Sequence, residues 1–481
     1  MLRSSLVLLF ALAALLAIAM AIVLVQYYAQ GPGWDLIAHY ENGRSLLKPL
    51  LYQCLASPPC GLQGGQPTFW YGTYFEPYRA PVSGAIFALV YLVAGSSTMI
   101  AYIALLMALY MVAVWVLSRG FGSSPSVMYA LLLSPAIVFT SIIGGSEEII
   151  SLILLFLGLY FLAKRNPLFG LFLGLATLGK YPTLALVPML LLLYRPKRIL
   201  AGAVLFVAAV TPWLVFSQIY LHGALASYSM SLAIEGFNRQ AYWLSPVAYA
   251  TLVGYPAVFI AMAAVAARRK LERIIGSVSR ALRWAGLLRR VYNDDVLYRF
   301  AISAVFLALA LGATLYIGPY WDTFTQIRYG YLLAASAGLF AAMVLGIARR
   351  YSSIDLRVLA VATAIVILVV FLAFYIREVS SASQLNADSA VLSNAATELG
   401  RLGYAGCRVV TNDWVYMLWH NVSAFSQFYY NSTSERYPIL VFHNWSAATE
   451  AGAVRGASNA IMVYSSANFS VLLPKGYECI G

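Results

Sequence analysis

Charged residues are scarce in this chain. Only 10% of its 481 residues are Asp, Glu, Lys or Arg, whereas 62% are hydrophobic. A soluble protein of this length needs more charge on its surface, so the composition predicts a polytopic membrane protein. The chain also lacks a clear internal repeat, a low-complexity stretch and, in its C-terminal part, a nucleotide-binding glycine motif.

The excess of positive charge is concentrated in one segment. The formal net charge is +13, and residues 268–299 alone carry nine Lys or Arg against three acids. A basic loop between apolar segments is typical of the cytoplasmic side of membrane proteins, where it also contacts anionic lipid headgroups. This placement indicates a topology signal and excludes nucleic acid as the expected partner.

Apolar runs predict an all-α transmembrane domain over residues 1–376. The first run is too long, and lacks the small-residue cleavage site, to be a removed signal peptide. With the N-terminus in the cytoplasm, eleven spans place every basic cluster inside and the C-terminus outside. The predicted spans are 5–28, 97–117, 126–143, 147–163, 167–181, 183–194, 199–219, 246–267, 300–319, 328–347 and 357–376.

The apolar segment 81–94 is shorter than a span. As a helix its 14 residues would cover about 21 Å, less than the hydrocarbon core of a bilayer. A crossing here would also turn every later basic cluster outward. We therefore predict a re-entrant or surface-lying helix within a first external loop, residues 31–96.

The last part of the chain, residues 377–481, is predicted to form a small extracytoplasmic α/β module. Its basic and acidic residues nearly balance, and it contains the sequons of Asn421, Asn431, Asn444 and Asn468. One segment has helical spacing and three resemble strands, namely 387–402, then 407–411, 438–442 and 460–464.

All four cysteines fall in predicted external segments. An even number of cysteines outside the membrane permits disulfides. The simplest pairings are Cys54 with Cys60, which closes a small loop, and Cys407 with Cys479, which ties the end of the tail to its body. Neither spacing is typical of a metal site.

Asp35 is the most informative single residue. It follows the first span in Gly31-Pro-Gly-Trp-Asp35, where the proline and glycines end the helix. A carboxylate at the membrane surface suits a general base acting on a substrate in the lipid. The alternative is an acid in a solvated loop. At helical spacing Asp35 shares a face with His39.

Further polar residues gather on the same external side. These residues have a structural explanation. Charged side chains at the ends of spans often extend to the membrane interface, and tyrosines there often form an aromatic belt. As a set, however, acids beside several cations indicate chemistry on an anionic, phosphate-bearing substrate. Charges in the middle of spans, which an ion-coupled transporter needs, are almost absent. The candidates are Glu76, Tyr78, Arg79, Glu147, Glu148, Lys180, Tyr181, Glu235, Asn238, Arg239, Asp322 and Arg328.

The order of four motifs resembles the GT-C class of integral-membrane glycosyltransferases, over about residues 1–220. The motifs are a first span followed by Asp35 and an Arg-Ser-Leu-Leu helix, Tyr78-Arg-Ala-Pro81, Gly144-Gly-Ser-Glu-Glu148, and a glycine-rich span that ends in Lys180-Tyr-Pro182. The closest similarity is to the dolichyl-phosphate-mannose-dependent mannosyltransferases.

This resemblance implies transfer of a sugar, mannose by analogy, from a polyprenyl (dolichyl) phosphate to a hydroxyl of a glycan, glycolipid or protein. Transfer would take place on the extracytoplasmic face. Asp35 is the expected general base and inversion the expected outcome. Arg328, Lys180 and Arg79 are expected to bind the donor phosphate, and His39, Glu76, Tyr78, Glu147, Glu148 and Tyr181 to bind substrate.

Trp34-Asp35 stands where the family has an Asp-x-Asp pair, so we prefer a metal-free mechanism. A divalent cation, Mg or Mn, held by Asp35 with Glu76 or Glu147 remains the alternative. Three other functions stay open at this point. They are a lipid or glycan transporter (a flippase), a non-catalytic scaffold with an extracellular recognition module, and a ligase that moves whole lipid-linked glycans.

Overall fold

The structure is a computed structural model of the chain that divides into two compact units. The helical unit comprises Met1–Ala21 and Pro77–Ala373, and the mixed unit comprises Ile22–Glu76 and Phe374–Gly481. The residues that the structure describes are 34–49, 79–134, 137, 147–192, 196–235, 243–266, 294–316, 323–351, 390–404, 406–407, 409–411, 417, 424–426, 438–442, 460–474 and 479.

Most described residues are helical. In chain order the helices are α1 Trp34–Leu46, α2 Pro81–Ala94, α3 Thr98–Phe121, α4 Pro125–Leu132, α5 Glu147–Ala163, α6 Leu168–Gly179, α7 Pro196–Tyr220, α8 Ala226–Glu235, α9 Pro246–Tyr249, α10 Tyr255–Ala266, α11 Asp295–Tyr316, α12 Thr323–Tyr329, α13 Tyr331–Tyr351 and α14, residues 390–401. A 3-10 turn, Gly95–Ser97, joins α2 to α3, a 3-10 helix covers Tyr181–Leu192, and a π-helical turn, Ala250–Gly254, joins α9 to α10.

Three helices among the described residues, α3, α7 and α11, are long and apolar enough to cross a membrane. Shorter apolar helices accompany them, including α2, α6 and α13. Their composition agrees with the expected helical membrane protein. The segment 81–94 is a helix with the expected bounds, beginning at a proline in the first helical position. The number of spans and their orientation stay predictions.

The helical unit has two chemically different ends. Helix α5 is 17 residues long, about 25 Å, and begins with two acids. At its far end Arg165 bonds Asp295 at 2.7 Å and lies over the Tyr298 ring. There a Cβ on Gly122, which caps α3, would meet the Arg299 guanidinium at 2.7 Å. The end of α3 and the start of α11 therefore lie near Arg165. We call this end of α5 the basic end.

The predicted span 183–194 is not an α-helix where the structure describes it. Residues Tyr181–Leu192 form a 3-10 helix with Pro188 inside it. Proline has no N–H to donate, and its ring clashes with the carbonyl four residues earlier, which disfavours α-helix. Thr183, Leu186 and Met189 are fully buried, and this spacing of three matches the three residues per turn of a 3-10 helix.

Two helices approach closely through glycine. A Cβ on Gly170 of α6 would lie 1.8 Å from the carbonyl oxygen of Gly202 in α7. One turn on, a Cβ on Gly174 would lie 2.7 Å from the Cβ of Ala209. Small residues spaced by four let two backbones pack tightly in a membrane. This contact fixes α6 and therefore the residue that follows it, Lys180.

The mixed unit contains a five-stranded sheet. Its strands are β1 Val409–Thr411, β2 Ala424–Ser426, β3 Ile439–Phe442, β4 Ala460–Ser465 and β5 Phe469–Pro474, and their order in the sheet is β2-β1-β3-β5-β4. β1 runs parallel to β2 and β3, whereas β5 is antiparallel to β3 and β4. The three predicted strands correspond to β1, β3 and β4, and helix α14 lies within the predicted helical segment.

Cys407 and Cys479 form a disulfide, as expected. It closes a loop across 72 positions and holds the end of the chain beside β1. Asn468 is exposed in the turn between β4 and β5, a position open to a glycan. Cys54, Cys60 and the other three sequons lie outside the described residues.

Candidate functional site

Four charged side chains lie together in the helical unit, and we name them the charge cluster: Glu147, Glu148, Lys180 and Arg328. The Lys180 Nζ lies 2.9 Å from Glu147 Oε2 and 3.7 Å from Glu148 Oε1. The Arg328 Nε donates to Glu148 Oε1 at 3.2 Å. All four were expected on the same side of the membrane from the sequence, and the structure brings them together.

The helix ends of three segments build the charge cluster. Glu147 and Glu148 occupy the first turn of α5, where the helix dipole favours negative charge. Lys180 follows the last residue of α6 with an extended backbone, so its side chain leaves the helix axis. Arg328 lies in the last turn of α12. The cluster therefore sits at the end of α5 opposite the basic end.

The charge cluster is buried and balanced. The side chains of Lys180 and Glu147 are each 4% exposed, Glu148 is 0% exposed, and Arg328 is 16% exposed. Two carboxylates face two cations, so no net charge is buried when all four are ionised. Removing one partner of such a pair costs about 3–5 kcal/mol, because a charge stays buried without compensation. Access from outside is greatest at Arg328.

An aromatic ring also contacts the cations. The Lys180 Nζ lies 4.9 Å and the Arg328 guanidinium 5.5 Å from the centre of the Tyr329 ring. A cation within about 6 Å of a ring centre is attracted to its negative face. Tyr329 thus helps to hold both cations at one place.

A chain of hydroxyls begins at Ser151, one turn after Glu147 in α5. Ser151 donates to the Ala176 carbonyl at 3.0 Å, so the 2.6 Å contact between Ser151 and Thr183 makes Thr183 the donor there. Tyr331 then donates to Thr183 at 3.1 Å. Sequence reasoning missed these hydroxyls, because Ser, Thr and Tyr inside an apolar run carry no charge to distinguish them.

Tyr181 is held by its neighbours. Its hydroxyl accepts from Trp213 Nε1 at 2.9 Å and lies 2.5 Å from the Ser227 hydroxyl. The Tyr228 ring meets it edge-on. These contacts anchor the start of the 3-10 helix and the adjacent Lys180, while a substrate contact for Tyr181 stays a prediction.

Two buried hydroxyls lie apart from that chain. Ser83 of α2 and Tyr102 of α3 are both 0% exposed, and the Ser83 hydroxyl lies beside the Tyr102 hydroxyl. The Phe87 ring stacks on the Tyr102 ring with centroids 3.5 Å apart. Arg79, a predicted phosphate-binding residue, is buried just before α2.

The remaining predicted residues are not part of the charge cluster as described. Asp35 lies in the first turn of α1 in the mixed unit, but its side chain is not among those described. His39, one turn on, is fully buried. Glu76 and Tyr78 lie outside the described residues.

The described residues do not fit a divalent metal. No three His, Cys, Asp or Glu side chains among them come together in a way that could hold an ion. Glu147 and Glu148 face Lys180 and Arg328, and a carboxylate already balanced by a cation is a poor metal ligand. Oxygen ligands with uncompensated charge are what Mg²⁺ prefers. The alternative cation site of Asp35 with Glu76 lies outside the described side chains and stays a prediction.

The comparisons with known proteins give no relative. No protein-family model matches the chain, and neither a curated protein nor a solved structure matches it. The chemistry must therefore be argued from the charge cluster itself. Buried carboxylates hold Lys180 and Arg328 in place, and Arg328, at 16% exposed, is the cation of the charge cluster that an anionic oxygen can reach most readily.

Proposed function

We propose that this protein is an integral-membrane glycosyltransferase that moves a sugar from a polyprenyl-phosphate donor to an acceptor hydroxyl on the extracytoplasmic face. The main support is the charge cluster, in which carboxylates fix Lys180 and Arg328 at the end of α5 opposite the basic end. Mannose is the proposed sugar because of the resemblance to dolichyl-phosphate-mannose-dependent enzymes.

The proposed topology has eleven spans, with the basic end in the cytoplasm and residues 377–481 outside. Positive loops favour the cytoplasmic side, and Arg165 and Arg299 both lie at the basic end. The Cys407–Cys479 disulfide supports an external tail, since disulfides persist in oxidising compartments.

The proposed role of Arg328 and Lys180 is to stabilise the donor phosphate. A sugar-phosphate-lipid diester carries one negative charge, whereas the released monoester carries about −1.5 to −2 at pH 7. Charge thus develops on the phosphate during transfer, and fixed cations stabilise it more than they stabilise the ground state. Arg328 is the partly exposed member of the charge cluster, and Arg79 is a further candidate.

Asp35 is the proposed general base. The acceptor oxygen would attack the anomeric carbon, its proton would pass to the Asp35 carboxylate, and the carbon–oxygen bond to the phosphate would break. The products are the glycoside and the polyprenyl phosphate, with inversion at the anomeric carbon. Loss of a positioned base typically lowers a rate about 10²–10⁴-fold.

A transfer assay tests this proposal. Purified protein is mixed with polyprenyl-phosphate-[³H]mannose, or the glucose donor, and a membrane-lipid acceptor fraction, with and without EDTA. Transfer by the wild type and its near-complete loss in Asp35→Asn are expected. Asp294→Asn is the matched control, because Asp294 lies at the basic end and caps α11 through its Oδ1, which Asn also does. No transfer from either donor would overturn the proposal.

A lipid or glycan transporter is less well supported. It needs charged or polar groups along a path across the membrane. In the described helices of the helical unit that exceed 12 residues, every charged residue lies within five residues of an end, namely Arg119, Glu147, Glu148, Lys197, Arg198, Asp295, Arg299, Arg349 and Arg350. Movement of a fluorescent polyprenyl-phosphate sugar across vesicles without transfer would favour transport.

A further inference from the structure

Arg299 of α11 is a cation without a partner among the residues that the structure describes. It is half-buried, its Nε is buried, and it makes no hydrogen bond or ion pair to any of them. The cations of the charge cluster differ, since Lys180 and Arg328 each bond a carboxylate. A buried donor without a hydrogen bond destabilises the folded protein, and more so when the group is charged. An anion bound at Arg299 would offset that cost.

A glycine sets the position of the Arg299 guanidinium. Gly122 ends α3 with φ +64, and a Cβ there would lie 2.7 Å from the Arg299 Nη1. A side chain at 122 would therefore displace the guanidinium, whereas glycine leaves it room and also tolerates this backbone conformation. The guanidinium thus lies against the end of α3, whose last turn carries the exposed Arg119.

Two further cations follow α5 at the same place. Lys164 and Arg165, like Arg299, act electrostatically on the Asp295 carboxylate. Arg165 is held there, because it bonds Asp295 at 2.7 Å and lies 4.4 Å from the centre of the Tyr298 ring. Lys164 is exposed. Cations from two helix ends therefore share this place with one carboxylate.

Positive charge is in excess at the basic end. The described residues at the ends of α3 and α5 and at the start of α11 carry four cations and two acids, a net charge of +2. Asp294 is already engaged, because its Oδ1 accepts from the backbone N–H groups of Val296 and Leu297. The cations are Arg119, Lys164, Arg165 and Arg299, and the acids are Asp294 and Asp295.

The basic end is placed to meet lipid headgroups. Helices α3 and α11 are both long and apolar enough to cross a membrane, so their ends would lie at headgroup level. Trp115 of α3 fits this level, since it is 45% exposed and the Arg119 guanidinium lies 5.2 Å from the centre of its ring. Basic pockets between membrane helices on the cytoplasmic side bind acidic headgroups. This placement favours a lipid over a soluble anion.

We propose that Arg299, with Lys164, binds the headgroup phosphate of an anionic phospholipid between the ends of α3 and α5 and the start of α11. The planar guanidinium would donate two parallel hydrogen bonds to phosphate oxygens, and Lys164 would add a second positive charge. Arg165 would keep its bond to Asp295. No covalent bond is made or broken, and the site does not depend on glycosyl transfer, because it lies at the end of α5 opposite the charge cluster.

Thermal unfolding in lipid nanodiscs tests this site. The melting temperature of the full chain is measured in phosphatidylcholine nanodiscs with a rising fraction of phosphatidylglycerol, which gives the fraction needed for half of the full shift. The proteins are wild type, Arg299→Gln, Arg299→Lys and Lys197→Gln. Lys197→Gln is the matched control, because Lys197 is exposed in the first turn of α7, lies on the same predicted side of the membrane and loses the same charge.

Phosphatidylglycerol should raise the melting temperature of the wild type. The fraction needed for half of the shift should rise about tenfold in Arg299→Gln, the effect of losing one hydrogen bond to a charged group. It should rise less in Arg299→Lys, which keeps the charge but loses the paired N–H donors. Lys197→Gln should follow the wild type, and inorganic phosphate in pure phosphatidylcholine nanodiscs should cause no shift.

Four results would overturn the site. A wild type that does not respond to phosphatidylglycerol would show that no such lipid binds. Equal responses of Arg299→Gln and Lys197→Gln would indicate diffuse surface charge. A melting temperature of Arg299→Gln lowered equally in every lipid mixture would mean that Arg299 only complements the dipole at the end of α3. An equal shift with inorganic phosphate would make the occupant a soluble anion. If Arg299→Gln does not fold, Arg299→Lys decides in the same way.

Discussion

The Lys180 Nζ and the Glu147 Oε2 lie 2.9 Å apart, and each side chain is only 4% exposed. The two residues are separated by 33 positions along the chain and join the start of α5 to the end of α6. Their pairing therefore joins α5 and α6 at the open end of the hairpin, which is the end that carries the charge cluster. A buried pair of this kind depends on both partners, because each charge is tolerated only through the other.

Replacing Lys180 with Met should destabilise the protein by about 3–5 kcal/mol, since Glu147 loses its cation in a buried place. The double variant Lys180→Met with Glu147→Gln should recover part of this loss, while Glu148 keeps its bond to Arg328. Chemical denaturation in detergent measures both. A double variant as unstable as the sum of the single variants would show that the pair is not coupled.

Substitution of Gly170 by Ala should separate α6 from α7. The new Cβ would lie 1.8 Å from the Gly202 carbonyl oxygen, which is backbone and cannot turn aside. Overpacking of this kind costs about 1–3 kcal/mol. Gly312→Ala in α11 is the control, because nothing lies within 4 Å of its Cβ position and Ala favours helix by about 1 kcal/mol. The melting temperature should fall in the first variant and hold or rise in the second.

Loss of the Cys407–Cys479 disulfide should destabilise the mixed unit by about 2–5 kcal/mol. The bond constrains the unfolded chain across 72 positions. The variant with both cysteines replaced by Ser should show faster limited proteolysis after residue 377, with unchanged proteolysis of the helical unit. Free thiols on Cys407 and Cys479 in protein extracted from membranes under alkylating conditions would contradict the bond.

Acidic pH should favour α1 through Glu41. Burial raises the pKa of the Glu41 carboxyl above its ordinary value of 4.5, although Arg44 donates to it at 2.9 Å. A raised pKa means that the folded state binds the proton more tightly. The resulting stability is fully present below pH 4.5 and is lost as the pH rises through the folded-state pKa.

Melting temperatures of wild type and Glu41→Gln, followed from pH 4 to pH 7, isolate this effect as a difference. The wild type should lose stability relative to the variant as the pH rises. A gain of the wild type over the same range would mean that the ion pair with Arg44 outweighs burial.

Much of the helical pattern could be predicted because the chain marks it locally. Pro81 starts α2, and Glu147 starts α5 at the predicted residue, since a proline and a pair of acids are strong N-terminal signals. The predicted topology placed Lys180 and Glu147 on the same side of the membrane, but it did not predict their contact.

Other features depend on contacts that no local signal records. The Tyr102 hydroxyl lies beside the Ser83 hydroxyl only because α2 packs on α3. Strand β2 was not predicted, because neither its Ala424 nor its Ser426 belongs to the residue types enriched in strands. The 3-10 form of Tyr181–Leu192 was hidden because apolar residues fill it all round, so that its period is visible only in burial.

The winding of the 3-10 helix Tyr181–Leu192 sets both its length and the direction of its side chains. Its buried Thr183, Leu186 and Met189 form a straight stripe only while three residues complete a turn. Rewinding the six residue steps from Thr183 to Met189 as α-helix would shorten the segment by about 3 Å and turn Met189 about 120° away from Thr183. Thr183 bonds Ser151 at one end of this segment. A change in the winding of the segment would therefore rotate Thr183 relative to the hydroxyl chain.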